Sequence, residues 1–305
     1  MLNVCKQNEE RFFSLLSALG YMNHTYKDKS NAKMIVFVDE QIGKQGEANG
    51  GTGKSLVAQC LRKFKNVCYK GKGWTPEKNF AFEGISLDTD ILLIDDAIEK
   101  FPFEKLFTHI TDDFSVEGKG DKSHVIPFDQ SPKTLLTTNY SLRGEGSSYD
   151  RRKTVFEFSD YYGSGITPRS EFGHNLFDGW DESQWQSFDL FMLYAVQHFL
   201  SCGLQEVNIN YAERDLLEST SEQFVDFMDN IKNDERNSSN DLLQKFIESE
   251  PSYKHLKSNT FNKWIKKYVK VRKVVTEGNE SKDNKFSPFT KEAGGKQYLK
   301  LKNRQ

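Results

Sequence analysis

The amino-acid sequence predicts an α/β fold with a largely parallel sheet, followed by further helices and a small winged-helix-like domain at the C-terminal end. The first reason is that short apolar runs alternate with helical apolar spacing over the first half of the chain. The second is a glycine-rich segment at 48–55, which lies between one such run and a helical pattern. The third is a basic C-terminal stretch in which helical patterns precede strand-like runs.

The predicted core strands are short apolar runs, some of them too continuous to have a solvated face. Such runs are typical of strands that are buried on both sides in a parallel sheet. They lie at 34–38, 66–69, 91–94, 133–139 and 153–158. Alternating residues at 114–128 flank the segment Gly118-Lys-Gly-Asp-Lys122, which predicts a hairpin with a basic tip.

Helices are predicted where apolar residues recur at intervals of three and four. They lie at 10–19, 55–64, 103–111, 184–201, 211–231, 241–248 and 259–269. Gly20 is expected to end the first helix, since glycine often follows the last helical turn. The helix at 184–201 is expected to bury Trp185, Phe188, Phe191, Leu193, Val196 and Phe199. In the basic region, a hairpin is predicted between 271–276 and 297–302.

The composition bounds the class of protein. At 305 residues, 36% of them hydrophobic, the chain can bury the cores of one large and one smaller domain. Its four cysteines are far apart and form no paired motif, which argues against a disulfide framework or a zinc site. Residues 1–11 are too polar for a signal peptide, and no apolar stretch is long enough for a membrane span. We therefore expect a cytoplasmic protein with no membrane partner.

Charge is unevenly distributed along the chain. Residues 1–180 carry 23 Lys and Arg against 25 Asp and Glu, residues 181–235 carry 2 against 12, and residues 236–305 carry 17 against 7. The expected organisation is an N-terminal helical segment at 1–30, an α/β core that contains the glycine-rich segment at 31–180, an acidic helical segment at 181–235 and a basic domain at 236–305. A strongly basic domain is typical of a nucleic-acid partner, although a solvated lysine-rich surface has the same composition.

The segment Ala48-Asn-Gly-Gly-Thr-Gly-Lys-Ser55 has the context of a phosphate-binding P-loop, because a strand precedes it and a helix follows. Small residues let successive backbone N–H groups turn toward a triphosphate. Lys54 is expected to reach the β- and γ-phosphates, and Ser55 to bind Mg²⁺. The usual motif has glycine where this chain has Ala48. The residues expected to hold ATP are Asn49, Gly50, Gly51, Thr52, Gly53, Lys54 and Ser55.

Residues at further strand ends complete a set for ATP hydrolysis. Asp95 follows an apolar strand and is placed to hold Mg²⁺, while Asp96 beside it can orient and deprotonate water. Asn139 ends another strand and can bond the γ-phosphate or the attacking water, although alone it is more typical of a turn. Arg151 or Arg152 can supply an arginine finger; the alternative is a surface salt-bridge pair.

The predicted helix at 259–269 has one apolar stripe, and its basic residues lie off that stripe. Together with the neighbouring helices and hairpin, it indicates a winged-helix arrangement, in which a basic helix lies in a groove of duplex DNA. We therefore expect duplex DNA to be a partner of residues 236–305. The residues expected to contact it are Lys263, Lys266, Lys267 and Lys270.

The order of these motifs resembles that of superfamily 3 helicases, and within them the D5-like primase-helicases of phages, poxviruses and bacterial mobile elements. The resemblance covers about residues 30–160 by motif. It implies an AAA+-like ATPase core that binds ATP and Mg²⁺. Residue by residue, it implies a Walker A pair at Lys54 and Ser55, a Walker B pair at Asp95 and Asp96, a sensor at Asn139 and a finger at Arg152 or Arg151.

The same resemblance implies a homo-oligomeric ring, hexameric, with ATP bound between subunits and single-stranded DNA in the pore. The hairpin residues Lys119, Lys122 and His124 then line the pore, and backbone phosphates are the natural partner of Lys122. A lone histidine on a hairpin is more often an ordinary surface residue, so it stays open whether His124 contacts DNA. Because only about thirty residues precede the first strand, we expect a primase, where one is used, to be separately encoded.

Three functions are compatible with these motifs. The first is an ATP-dependent DNA helicase or translocase in the replication of a phage, plasmid or integrated element. The second, a helicase loader or DNA-packaging motor, shares the P-loop and the acid pair but does not need the basic hairpin before Asn139. The third, a nucleotide-gated DNA-binding regulator, needs neither the hairpin nor the arginine finger. The presence of both features favours the helicase.

Overall fold

The chain divides into two compact units, Met1–Ile209 and Asn210–Gln305. They are seen in a computed structural model that describes residues 1–41, 51–118, 123–140, 147–163, 165–207, 209, 211–232, 235–274, 276, 287–291 and 297–301. Within these ranges, no helix has the length and apolar character needed to cross a bilayer.

The first unit contains seven strands among its described residues. They are β1 (Met34–Asp39), β2 (Val67–Lys70), β3 (Ile91–Ala97), β4 (Phe114–Val116), β5 (His124–Ile126), β6 (Lys133–Thr138) and β7 (Lys153–Phe158). Five of them form a parallel sheet in the order β2-β3-β6-β1-β7, and β4 pairs with β5 as an antiparallel hairpin. The predicted core strands and the predicted hairpin are therefore confirmed.

The helices of the first unit flank this sheet. They are α1 (Glu9–Asn23), α2 (Lys54–Cys60), α3 (Phe107–Thr111), α4 (Ser147–Asp150), α5 (Pro168–Phe172) and α6 (Glu182–Cys202). A 3₁₀ turn at Leu61–Lys63 follows α2 and another at Phe103–Leu106 precedes α3, so the two predicted helices there are only partly α-helical.

The sheet is buried on both faces, as its continuous apolar runs predict. In β1, Ile35 and Phe37 join a core that also contains residues of α1, α2 and α6. Met34 and Val36 join a second core with residues of the β4–β5 hairpin. This alternation follows from the pleat, because successive side chains of a strand point to opposite faces. The helices and the hairpin therefore cover the two faces of the sheet. Polar residues are left at the edge where the parallel strands end, which we call the carboxyl edge.

Two details of the helices correct the sequence expectations. Gly20 does not end the first helix, since α1 continues to Asn23. A Cβ atom at Gly20 would lie 2.1 Å from the carbonyl oxygen of Ala195, so this glycine allows α1 and α6 to pack closely. The prediction that Leu193 is buried is also wrong, because it is 61% exposed. It lies about 100° around α6 from the buried Met192.

The second unit combines four helices with a three-stranded antiparallel sheet among its described residues. The elements are α7 (Tyr211–Ser219), α8 (Glu222–Asp229), β8 (Arg236–Ser238), α9 (Ser239–Ser249), α10 (Ser258–Val271), β9 (Phe289–Lys291) and β10 (Gln297–Lys300). The strand order is β8-β10-β9. The single helix predicted at 211–231 is thus two helices, because Ser221 caps a new one by accepting the N–H of Phe224.

The second unit differs from its predicted form in two places. The predicted strand at 271–276 is absent from the described residues: α10 continues to Val271, and Thr276 makes an isolated bridge to Leu301. The partner of β10 in the hairpin is instead β9. The contacts divide the chain after Ile209, and not after residue 235, because acidic helices α7 and α8 share a hydrophobic core with α9 and α10.

Candidate nucleotide-binding site

The carboxyl ends of β1, β3 and β6 carry the residues that the sequence assigns to a nucleotide site. These strands are neighbours, so the residues that follow them lie along one edge of the sheet. In the glycine-rich loop, Gly51 and Gly53 have φ of 96° and 101°, a backbone region that favours glycine. The loop therefore turns tightly before α2. Ala48, Asn49 and Gly50 lie outside the described residues.

Lys54 is the first residue of α2, and its side chain is buried. Its ammonium forms a hydrogen-bonded ion pair with the carboxylate of Asp39, the last residue of β1. The hydroxyl of Thr52 donates to the same Asp39 oxygen over 2.5 Å. The lysine that is expected to bind phosphate thus lies at the carboxyl edge, where a buried carboxylate outside the predicted set holds it.

Ser55 and Asp95, the two predicted metal ligands, are brought together. The Ser55 hydroxyl donates to Asp95 Oδ1 over 2.8 Å. That oxygen also accepts the Thr137 hydroxyl of β6 over 2.6 Å, and Oδ2 accepts the Tyr69 hydroxyl of β2 over 3.2 Å. Mg²⁺ is a hard cation that takes oxygen ligands, and a hydroxyl and a carboxylate both supply oxygen. The residues therefore fit this ion, which would neutralise phosphate charge when bound.

Asp96 departs from regular strand geometry. The register of β3 against β6 shifts at this point, and Asp96 has a φ of 56°. Its N–H donates to the Thr137 hydroxyl over 2.9 Å, and its carboxylate forms an ion pair with Lys72 at 3.0 Å. The hydrogen bond to Asp96 raises the pKa of Lys72. The two acids are therefore adjacent in sequence, but the bulge gives their side chains different partners.

Asn139 directly follows β6 and is half-buried. Because β6 lies between β1 and β3, Asn139 is at the same edge as the glycine-rich loop and the acid pair. The hairpin residue His124 begins β5 and is exposed. Lys119 and Lys122 lie outside the part of the chain that the structure describes.

Arg151 and Arg152 lie at the opposite edge of the sheet. They precede β7, and the carbonyl of Arg152 accepts the N–H of Met34 at the amino end of β1 over 2.8 Å. With six residues in β1, this edge is about 20 Å from the carboxyl edge. Arg152 donates to the Ser148 carbonyl over 3.0 Å and lies over the ring of Phe107, whereas Arg151 is exposed. Neither arginine reaches the P-loop of its own chain.

The lysines predicted to bind duplex DNA lie on α10, in the second unit. Lys263, Lys266 and Lys270 are exposed. Lys267 is half-buried and forms an ion pair at 2.5 Å with Asp215 of α7. An acidic helix therefore pairs with one of the four lysines that the sequence predicts to contact DNA.

Asp39, Tyr69 and Thr137 belong to the site but were not identified from the sequence. Asp39 comes at the end of an apolar strand, as Asp95 comes after the apolar run 91–94. This position could have identified Asp39 from the sequence. Tyr69 and Thr137 lie inside strands, and only the order β2-β3-β6 shows that both border Asp95. Partial burial and the Asp95 carboxylate raise the pKa of Tyr69.

The chain is similar at low identity to solved apo structures of the NrS-1 C terminal region. One, in the A form, has 15% identical residues and a TM-score of 0.47, and the match covers 98% of this chain and 73% of that chain. A second, of NrS-1 residues 305–718, has 13% identity and a TM-score of 0.45 with the same coverage. No family model and no curated protein matches the chain. These distant similarities do not by themselves assign an activity.

Proposed function

We propose that the chain is an ATP-dependent DNA helicase or translocase of the superfamily 3 type, acting in the replication of a phage, plasmid or integrated element. The observation that carries this proposal is the hydrogen bond between Ser55 and Asp95, which joins the glycine-rich loop to the end of β3. Lys54 lies at the same edge of the sheet. An ammonium, an alcohol and a carboxylate in this arrangement suit a triphosphate with its Mg²⁺.

In this proposal, the glycine-rich loop binds the triphosphate, and Lys54 neutralises the β- and γ-phosphates. Ser55 and Asp95 hold Mg²⁺. Asp96 deprotonates the attacking water, and Asn139 hydrogen-bonds that water or the γ-phosphate. Asp96 is paired with Lys72, so its role requires this pair to open. Exposed ion pairs contribute little stability, which makes that opening inexpensive.

The position of the basic pair supports an assembly of identical subunits. An arginine about 20 Å from its own P-loop acts as a finger only on a neighbouring subunit. Arg151 is the better candidate, because Arg152 is engaged with Ser148 and Phe107. We therefore propose a hexameric ring with ATP between subunits. Its pore holds single-stranded DNA, gripped by the hairpin residues Lys119, Lys122 and His124.

The order of elements in the second unit supports a duplex-binding role. From α8 to β10 the chain forms a helix, a strand, two helices and a hairpin, and the last strand lies in the middle of the sheet. This order suits a winged helix, in which α10 is the helix that enters a DNA groove. Lys263, Lys266 and Lys270 on α10 then contact phosphates.

Replacing the central carboxylate tests the ATPase part of the proposal. Asp95→Asn keeps the shape of the side chain but removes its charge, so we expect Mg²⁺-dependent ATP hydrolysis to fall about 100-fold or more. Asp90→Asn is the matched control: Asp90 accepts the Asn66 N–H at the amino end of β3, far from the site, and hydrolysis should not change. A wild-type protein with no affinity for nucleotide in excess Mg²⁺ would refute the proposal.

Mixing two inactive variants tests the finger in a neighbouring subunit. Arg151→Ala and Asp95→Asn should each hydrolyse ATP poorly alone. In mixed oligomers, some interfaces combine an intact Asp95 from one subunit with an intact Arg151 from the next, so we expect partial recovery of hydrolysis. Arg152→Ala in place of Arg151→Ala is the comparison. Absence of recovery with either arginine variant would reject a finger that acts between subunits.

DNA engagement is tested at two sites. Lys122→Ala should abolish unwinding of a forked duplex while ATP hydrolysis remains measurable; normal unwinding would reject the pore assignment.

On α10, Lys266→Ala should weaken duplex binding and reduce the slope of log affinity against log salt by about 1. Lys267→Ala is the control, since its ammonium is already paired with Asp215. Equal effects of the two α10 variants would contradict the proposed binding face.

A further inference from the structure

A buried carboxylate at the nucleotide site has no part in the proposed hydrolysis. Asp39 ends β1 and is only 2% exposed. A buried carboxylate is costly unless it is paired and hydrogen-bonded. Its carboxylate is held by Lys54 and Thr52, and both belong to the glycine-rich loop and the start of α2.

Lys54 is itself only 7% exposed, and so is Thr52. The Lys54 ammonium also lies 3.4 Å from the Thr52 hydroxyl, so the three side chains contact one another. An ammonium has three donors, and Asp39 takes one of them. The ammonium that the proposed function assigns to phosphate is therefore already paired with a carboxylate of the protein itself.

A triphosphate bound to Lys54 would bring its charge close to Asp39. If both anions accept hydrogen bonds from one ammonium, their oxygens are about 5 Å apart. Two groups of the same charge repel strongly at that distance in a buried site, because little water screens them. One lysine cannot neutralise both. The two anions therefore compete for Lys54.

We propose that Asp39 is a positioning residue that holds Lys54 in the nucleotide-free state and competes with the triphosphate for its ammonium. This inference rests on the proposed nucleotide site. Asp39 then lowers the affinity for ATP and ADP. After hydrolysis and phosphate loss, Asp39 regains Lys54 and favours release of ADP.

The test is Asp39→Asn, because asparagine keeps an oxygen that accepts from Thr52 and Lys54 but carries no charge. We expect the dissociation constant for a fluorescent ADP analogue to fall about tenfold, since a like-charge contact is removed. The melting temperature without nucleotide should fall, because Lys54 loses its charged partner. Its rise on addition of ATP and Mg²⁺ should be larger than in the wild type. Mere structural damage would weaken binding instead.

Controls separate this inference from the proposed function. Asp90→Asn makes the same chemical change at the other edge of the sheet and should alter neither affinity nor melting temperature. Asp39→Ser also removes the charge and repeats the measurement if the asparagine variant does not fold. If the wild type binds nucleotide and the Asp39 variants bind it equally or more weakly, the inference is wrong and the nucleotide site stands. If neither the wild type nor any variant binds nucleotide, both fail.

Discussion

Asp95 accepts hydrogen bonds from three hydroxyls, and each comes from a different element: Ser55 of α2, Tyr69 of β2 and Thr137 of β6. Two of these donors are bound to one oxygen and the third to the other. The carboxylate is therefore oriented by the protein itself, which would reduce the reorganisation that the proposed metal binding requires. Of the three donors, only Ser55 belongs to a recognisable motif.

Tyr69→Phe tests this orientation, because it removes only the hydroxyl that holds Asp95 Oδ2. We expect the Mg²⁺ concentration for half-maximal ATP hydrolysis to rise about tenfold, as for other groups that orient a metal ligand. Binding of nucleotide without Mg²⁺ should stay unchanged. Tyr194→Phe, an exposed tyrosine on α6, is the control. An unaltered Mg²⁺ requirement would show that Tyr69 does not orient Asp95.

The half-buried position of His109 predicts that the folded protein loses stability in acid. Its ring lies 4.2 Å from that of Phe82 and 4.5 Å from that of Phe114, between centroids. Burial, with a smaller effect from Lys27, lowers the pKa of His109 to about 4, whereas an unfolded histidine titrates near 6.5. Between these values the unfolded chain binds more protons, so the free energy of unfolding decreases as the pH falls.

The expected contribution of His109 is up to about 3 kcal/mol between pH 6.5 and pH 4. Urea unfolding at several pH values measures it. In His109→Gln the decrease over this range should be smaller by that amount, because the amide does not titrate. A variant with the same pH profile as the wild type would contradict the assignment. Nucleotide binding is not involved in this measurement.

At the scale of elements, close packing overrides a local sequence signal. Gly20 has the character of a helix terminator, yet α1 continues past it because α6 crosses there. The same packing decides which side of α6 is buried: Phe188, Met192 and Ala195 face the core, and Leu193 does not. Periodicity alone places an apolar stripe to within a residue or so, but the partner helix fixes its centre.

Gly20→Ala should destabilise the first unit by about 3 kcal/mol, because the new methyl group would overlap the backbone of Ala195. Backbone atoms cannot move aside as a flexible side chain would. Gly165→Ala is the control, since no atom lies within 4 Å of the Cβ position there and its φ is not in the left-handed region. Thermal unfolding compares the two. Similar stabilities would mean that α1 and α6 shift apart without cost.

At the scale of the whole molecule, the two units do not follow the charge blocks of the sequence. Residues 236–305 have an excess of ten positive charges. The whole second unit, residues 210–305, carries 19 Lys and Arg against 15 Asp and Glu, so its excess is only four. Some of these opposite charges are paired, as Arg272 of the basic region is with Glu213 of α7. DNA binding by this unit would therefore depend on particular exposed lysines more than on net charge.

The division after Ile209 predicts which polypeptides fold. Residues 210–305 should unfold cooperatively on heating, whereas residues 236–305 should not, because they lack the buried Leu216, Phe224 and Met228 of α7 and α8. Circular dichroism during heating measures the difference. A polypeptide of residues 205–305 is the control and should match 210–305. A cooperative transition of residues 236–305 at a similar temperature would place the boundary where the charges change.

Much of the first unit was predictable because its signals are local. The apolar runs that end at Val38 and Ile94 are strands because both faces are buried, and the glycine-rich loop requires backbone conformations that Gly51 and Gly53 supply. The break between α7 and α8 was not predictable from apolar spacing, since the cap at Ser221 interrupts a pattern that otherwise continues. In the candidate site, the position of Asp95 after an apolar run was visible in the sequence. Its hydrogen-bond partners Tyr69 and Thr137 were not.

By itself, the sequence determined the strands, the glycine-rich loop and the acids that follow the strands, because backbone preference and burial act over a few neighbouring residues. Only the tertiary structure decided that Tyr69 and Thr137 meet at Asp95, that Asp39 holds Lys54, and that Arg151 lies at the far edge. These relations depend on strand order and on packing between residues distant in the chain. No local pattern encodes them, since they arise only when the sheet assembles.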